Sequence, residues 1–212
     1  MTDGRRPYRS KLRDDQARAT RRLIIDAGAE LFVARGYAST TIDAIAEAAG
    51  VGRKTVFTSV GGKAAVLKLA FDWALAGDDE PVAIADRTEV QRMMRDEDPA
   101  ALLAAWMAMN AAIAGRVAAL HHVLVVAADS DPEAAALLAT LEGQRAQGAS
   151  AVISRMAELG GLRPDIDAEQ AAAIADLLID PMPYRRLVEL CGWTPEAFTQ
   201  YLQRAAAAAL LP

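Results

Sequence analysis

Between Thr40 and Lys63 the chain reads TTIDAIAEAAGVGRKTVFTSVGGK, which gathers three cations and several hydroxyls around glycine turns. Arg53 and Lys54 carry donors that match guanine edges, and Thr55, Thr58 and Ser59 carry hydroxyls that match phosphate oxygens. For that chemistry to act, the groups must share the outer face of a short helix held on an apolar support. The spacing predicts such a support. A first helix begins at Thr40 as N-cap, with Asp43 at the third position and Ile42, Ile45, Ala46 and Ala49 on one face. Gly50 stops it, Val51 plugs the turn, and a second helix runs from about Gly52 to Ser59 with Val51 and Val56 inward. Helix pairs of this kind also occur in proteins that touch no DNA, so the spacing alone leaves both readings open.

The formal charge of −5 looks wrong for a partner of nucleic acid until it is divided along the chain. Residues 1–63 hold 12 Lys and Arg against 7 Asp and Glu, and residues 64–212 hold 11 against 21. A basic front on an acidic body concentrates attraction to phosphate at one end and helps set orientation. Residues 1–14, with Arg5, Arg6, Arg9, Lys11 and Arg13 beside Gly4 and Pro7, read as a flexible arm. Such an arm is either a solvated tail or a segment that neutralises phosphates or enters the minor groove.

Other chemistry is thinly supported. His121 and His122 are the only histidines and point to different sides of a helix, which argues against zinc. Asp78, Asp79 and Glu80 sit together at a helix C-terminus, where they need a cation, solvent or arginines. Pairing with Arg87, Arg92 or arginines of the first helix would tie a joint there, while adjacent carboxylates alone lack a metal ligand set. No nucleophile elbow, phosphate loop or cofactor motif is present, so no cofactor and no metal is expected. An enzyme with His121 as base and those carboxylates on a metal is the competing class, and a small-molecule-binding protein without specific DNA binding is a further one. The lone Cys191 permits no internal disulfide and fits a reducing cytoplasm, and residues 1–22 lack the apolar run of a secretory signal. Ala101–Ala128 is apolar but interrupted by Arg116, His121 and His122, which suits a buried helix better than a membrane span.

With 53% hydrophobic residues, much alanine and no strand-like alternation, the chain reads as all-α, with about nine helices. Helix 1 is expected from about Asp15 to Arg35, with Leu23, Ile24, Ala27, Leu31 and Ala34 on its stripe and Gly36 as its stop. A fourth helix runs from Lys63 to Gly77 through Val66, Leu67, Ala70, Phe71 and Ala74. A short segment around Met93 and Met94 follows, then a long helix after Pro99. On it Trp106, Asn110, Ile113, Val117, His121 and Leu124 share a stripe, with Leu103 and Met109 at its edges. Asn110 and His121 are either satisfied core groups or the polar handles of a cavity. In the second case Trp106, Met109, Asn110, Ile113, Val117 and His121 would bind a mostly apolar ligand. Later starts are marked by Asp131–Pro132, by Asp167 with Gln170 and by Thr194–Pro195, and Asp180–Pro183 breaks the chain before a short helix from Tyr184 to Cys191.

From about Arg21 to Phe71 the order RRLIIDAGAELFVARGY, TTIDAIAEAAGV, RKTVF, GGKAAVLKLAF resembles the N-terminal domain of TetR-type transcriptional repressors. The resemblance implies a three-helix helix-turn-helix domain over 15–63, a connecting helix over 64–77 whose movement links ligand binding to the reading heads, and a ligand-binding and dimerisation domain over 78–212. Carried over position by position, Arg53, Lys54 and Phe57 would face bases, and Thr41, Thr55, Ser59 and Lys63 would meet phosphate. The chain departs from the common wording at Gly52, where a capping Ser is frequent, at Phe57, where a Tyr is frequent, and at Thr58, Ser59 and Val60. The resemblance further implies a homodimer through a four-helix bundle. Ile174, Leu177 and Leu178 of one helix, with Phe198, Tyr201, Leu202, Ala205 and Ala209 of the last, are its candidates. The implied function is a cytoplasmic, ligand-responsive regulator, a repressor of a palindromic operator in double-stranded DNA, released by a small-molecule effector.

Overall fold

The computed structural model describes residues 6–80 and 82–212, with the side chains of residues 6–12 outside that description. All regular structure among the described residues is helical. The front of the chain forms α1 (Arg6–Arg35), α2 (Ile42–Ala48), α3 (Arg53–Ser59) and α4 (Lys63–Ala76). A short 3₁₀ turn at Ile84–Asp86 leads to α5 (Thr88–Met93), and the body continues with α6 (Pro99–Ala128), α7 (Pro132–Glu158) and α8 (Ala168–Leu178). It closes with α9 (Pro181–Tyr184), a π-helical turn at Arg185–Leu190, and α10 (Pro195–Leu210).

Several boundaries differ from the sequence expectation. Helix α1 begins at Arg6 rather than Asp15, because Pro7 falls in the first turn, where its missing N–H has no helical partner to lose. Arg5 lies outside the described residues, as do the side chains of Arg6, Arg9 and Lys11, on which the arm reading rested. The buried stripe of α1 is also rotated: Ile24, Ile25 and Phe32 are buried, whereas Leu23 is 55% exposed. The run Leu23-Ile24-Ile25 offers two adjacent choices of stripe, and packing on α4 selects the second. Gly28 permits that packing, since a Cβ there would lie 2.4 Å from Val66 Cγ1. Helix α9 starts at Pro181, because Asp180 accepts a hydrogen bond from Met182 N and so caps a turn that the prolines were expected to break.

Thr41, not Thr40, caps α2, accepting a hydrogen bond from Ala44 N at 3.1 Å. Thr40 is buried, and its hydroxyl donates back to the carbonyls of Gly36, at 2.8 Å, and Leu31, at 3.2 Å. That bond satisfies carbonyls at the end of α1 and fixes the angle at which α2 leaves it. Gly50, with φ of 66°, supplies the left-handed residue that turns α2 into α3.

Two apolar clusters form the core. The first joins Ile24, Ile25, Phe32 and Tyr37 with Ile45, Val56, Val66, Leu67 and Phe71, and continues into the far half of α6 through Val117, Leu120 and Leu124 and on to Leu137 of α7. The second packs Leu102, Leu103, Trp106 and Met107 against Val152, Ile153 and Met156 of α7, Ala175 of α8 and Phe198 and Leu202 of α10. By length and composition α6 is apolar enough to cross a membrane, yet it is the axle of this bundle, packed by α4, α7, α9 and α10. The core therefore has no gap at Gly77, and α4 and α6 are continuous through shared side chains.

Candidate nucleic-acid interface

Helix α3 is short and held mainly by one buried side chain, Val56, with Val51 and Val60 packed beside it. Its other face is open: Arg53, Lys54 and Thr58 are exposed, and so is Phe57, at 46%. Gly52 supplies no side-chain cap, as its identity dictates, and the helix still begins at Arg53. Arg53 Nη1 donates to Asp43 Oδ2 at 2.6 Å, and the guanidinium carbon stands 5.6 Å from the centre of the Phe57 ring. Thr58 turns its hydroxyl back to the carbonyls of Lys54 and Thr55, while Thr55 and Ser59 are half-buried at the edge of the face. Thr41 is exposed one helix away.

Lys63 has a second engagement. Its ammonium donates to Tyr37 O at 3.0 Å and stands 4.0 Å from the Tyr37 ring centre, which leaves further N–H bonds free. Tyr37 is itself buried, and burial, the charges of Asp131 and Glu133 and a hydrogen bond to Asp131 push its phenol up to about 12. The same residue thus touches the start of α4 and the N-cap of α7.

The joint behind α4 is built from charges. Asp79, 7% exposed, pairs with Arg18 at 2.5 Å and with Arg22 at 3.8 Å, and Asp78 pairs with Arg87 at 2.7 Å. Arg87 and two arginines of the first helix were among the partners that the sequence offered, whereas no ion pair among the described residues joins Arg92 or Glu80 to this joint. Arg87 holds the Asp78 carboxyl well below the usual carboxylate range, helped by the Glu80 backbone N–H, and Arg18 lowers that of Asp79. Arg116, read in the sequence only as an interruption of an apolar helix, donates to Ala74 O at 2.7 Å and Leu75 O at 2.9 Å. A cation on these last carbonyls of α4 is favourable in the helix dipole, and it pins α4 to α6.

The expected ligand stripe does not form one cavity. Trp106 and Met109 belong to the second core cluster, whereas Ile113 and Val117 pack in the first. The Asn110 amide donates to Trp106 O at 2.9 Å, within its own helix. The 3.6-residue period placed these residues on one stripe, but thirty residues of α6 cross different neighbours at its two ends. An open cleft of about 660 Å³ lies instead between α1, α4 and α6, floored by Ile25, Trp73 and Leu120 and rimmed by Asp26, Glu30 and Arg116. It includes none of the six stripe residues.

His121 differs from the rest of the stripe. It is 4% exposed, both ring nitrogens lack a hydrogen-bond partner, and its ring lies 6.4 Å from that of Phe71. Burial pushes its pKa down; Asp180 and Glu142 pull it up, and Arg145 and His122 push it down further. Unfolded, the imidazole takes up a proton near pH 6.5; folded, it does so only at lower pH. Stability should therefore fall as pH drops below about 6.5, and His121→Phe should flatten that fall. Urea midpoints of both proteins at pH 7.5 and 5.5 measure it; parallel losses would contradict the assignment.

The dimer candidates also divide. Phe198 and Leu202 are buried in the chain's own core, at 1% and 2% exposure, so they have no surface for a partner. Leu177, at 70%, and Tyr201, at 40%, are exposed, with Trp193 edge-on to Tyr201 at 5.7 Å. Ile174, Leu178, Ala205 and Ala209 are half-buried between these extremes. Apolar periodicity marks a stripe on α10 but cannot separate the side facing α6 from the side facing outward.

Residues 24–70 match the family model described as bacterial regulatory proteins, tetR family. Over 53 residues the chain is 47% identical to the uncharacterized HTH-type transcriptional regulator TtgW of Pseudomonas putida, a match covering 25% of this chain and 40% of that protein. The chain thus spans less than half the length of this curated relative in the matched region. The whole fold is similar to a putative TetR-family transcriptional regulator from Rhodococcus sp., with a TM-score of 0.69 at 14% identity over 91% of this chain and 98% of that one. It is also similar to NalD of Pseudomonas aeruginosa, the secondary repressor of the MexAB-OprM multidrug efflux pump, with a TM-score of 0.66 at 17% identity over 92% and 98%.

Proposed function

We propose, from the match of residues 24–70 to the tetR family of bacterial regulatory proteins, that the chain is a cytoplasmic, homodimeric repressor that binds a near-palindromic operator through two copies of α3. The observation that carries this reading is the exposed face of α3, where Arg53, Lys54, Phe57 and Thr58 stand clear of a core that Val56 anchors. Two-fold symmetry would place the two helices about 34–36 Å apart, one turn of duplex. Leu177 and Tyr201 are the large apolar side chains most exposed on α8 and α10, and so the ones offered to the partner copy.

The effector is a small, mostly apolar molecule that would have to open space beside His121, which the cleft between α1, α4 and α6 does not reach, and whose buried and unpaired ring nitrogens are the polar handle such a ligand would use. The alternative of an enzyme with His121 as base and a metal on residues 78–80 is disfavoured, because arginines already occupy Asp78 and Asp79.

Roles at the interface separate by experiment. In binding assays against a panel of single-base operator variants, Arg53→Ala and Lys54→Ala should change which bases are preferred, each good base contact contributing about 1–3 kcal/mol of discrimination. Lys63→Ala should weaken all sequences alike and reduce the salt slope by about one. Equal loss across sequences for all three variants would refute this division.

A further inference from the structure

The geometry points to Asp43 as a positioning residue for base readout: with Phe57 it holds the Arg53 guanidinium in one orientation, whose free edge is presented to a guanine. This rests on the reading of α3 as the base-contacting helix. Arg53 opens α3 and Asp43 lies in the first turn of α2, so the turn at Gly50 brings together two groups ten residues apart. Asp43 engages a single nitrogen, Nη1, at 2.6 Å. Nε and Nη2, the side-on edge of the fork, make no hydrogen bond among the described residues. Those two donors are parallel and spaced to meet O6 and N7 of guanine in the major groove. The Phe57 ring, 5.6 Å from the guanidinium carbon, restricts the plane from one face. Phe57 thereby gains a role for its ring that needs no hydroxyl.

The pair is not there for stability. Arg53 is 59% exposed and Asp43 64% exposed, and ion pairs so open to solvent add little to folding. A carboxylate on a face that approaches phosphates even opposes binding in general. Its presence is accounted for by orientation: an arginine left free would sample many rotamers, and one tethered at Nη1 arrives with its fork aligned.

Two effects of Asp43→Asn are expected to run in opposite directions. Discrimination for guanine at one base pair of each half-site should fall about fivefold to tenfold, while affinity for random duplex should rise because a repulsive charge is gone. Arg53→Lys, which keeps the charge and loses the fork, should lose preference at the same base pair, and adding Asp43→Asn to it should change little more there. Phe57→Tyr should retain the preference, and Phe57→Leu should weaken it. The readout is binding of the full-length protein to a library of half-site variants at two salt concentrations, with urea midpoints to confirm folding. Unchanged guanine preference in Asp43→Asn, or loss at a base pair that Arg53→Lys leaves intact, overturns the proposal. A wild-type motif with no guanine at any Arg53-dependent position overturns it while leaving the reading of α3 standing. A wild-type protein that prefers no sequence overturns both.

Discussion

Phe198→Ala is expected to lower the stability of the folded chain by about 4 kcal/mol, within the range for a large aromatic removed from a packed core. Phe198 is 1% exposed, packs edge-on to Tyr184 with ring centres 5.1 Å apart, and belongs to the cluster that holds α10 against α6. The diagnostic is concentration. A core residue loses the same stability at any protein concentration, whereas an interface residue shows a loss that varies with protomer concentration. Urea melts of Phe198→Ala over a hundredfold range of concentration should shift by one constant amount relative to wild type. Tyr201→Ala, on the exposed side of the same helix, should show the concentration-dependent loss. The reverse pattern would return Phe198 to the dimer surface.

Arg145→Ala is the second large effect, at about 3 kcal/mol. The Arg145 side chain, 21% exposed, donates from Nε to Asp176 at 2.8 Å and from Nη1 to Asp180 at 2.9 Å, joining α7 to the end of α8 and the cap of α9. Burial acts to lower the Arg145 pKa, but the two carboxylates outweigh it and raise it. Without the arginine, two partly buried carboxylates are left uncompensated, and the charge of Asp180 also acts on His121. The melting temperature should fall by about 6–12 °C for a chain of this size. Arg145→Met combined with Asp176→Asn and Asp180→Asn should recover most of the loss, because no charge is then stranded. A loss below about 0.5 kcal/mol in Arg145→Ala would mean that the pair behaves as if fully solvated.

Local signals in the sequence announced the helices well, and for physical reasons. Asp131–Pro132, Asp167 with Gln170 and Thr194–Pro195 each satisfy free N–H groups of a first turn, and each starts a helix in the structure. Gly50 and Gly77 end helices because their left-handed φ angles suit glycine. Contacts between elements were less legible. Arg116 capping α4, Arg145 bridging Asp176 and Asp180, and Asp43 meeting Arg53 depend on how helices cross, which no 3.6-residue period encodes. The same limit split the Trp106-to-His121 stripe between two clusters and put Phe198 inside. Thr40 and Thr41 show the limit at its smallest scale. Both are able to cap α2, and only the packing of α1 decides which one turns inward.

The proposed function has α3 read sequence as part of a two-fold regulator. The most direct measurement is selection of bound fragments from a genomic DNA pool by the purified protein at near-physiological salt, read out as a sequence motif. A near-palindrome with half-sites about one helical turn apart is expected, with loss of base preference at defined positions in Arg53→Ala. Weak binding to every fragment, falling steeply with salt and unchanged in pattern by Arg53→Ala, would contradict it.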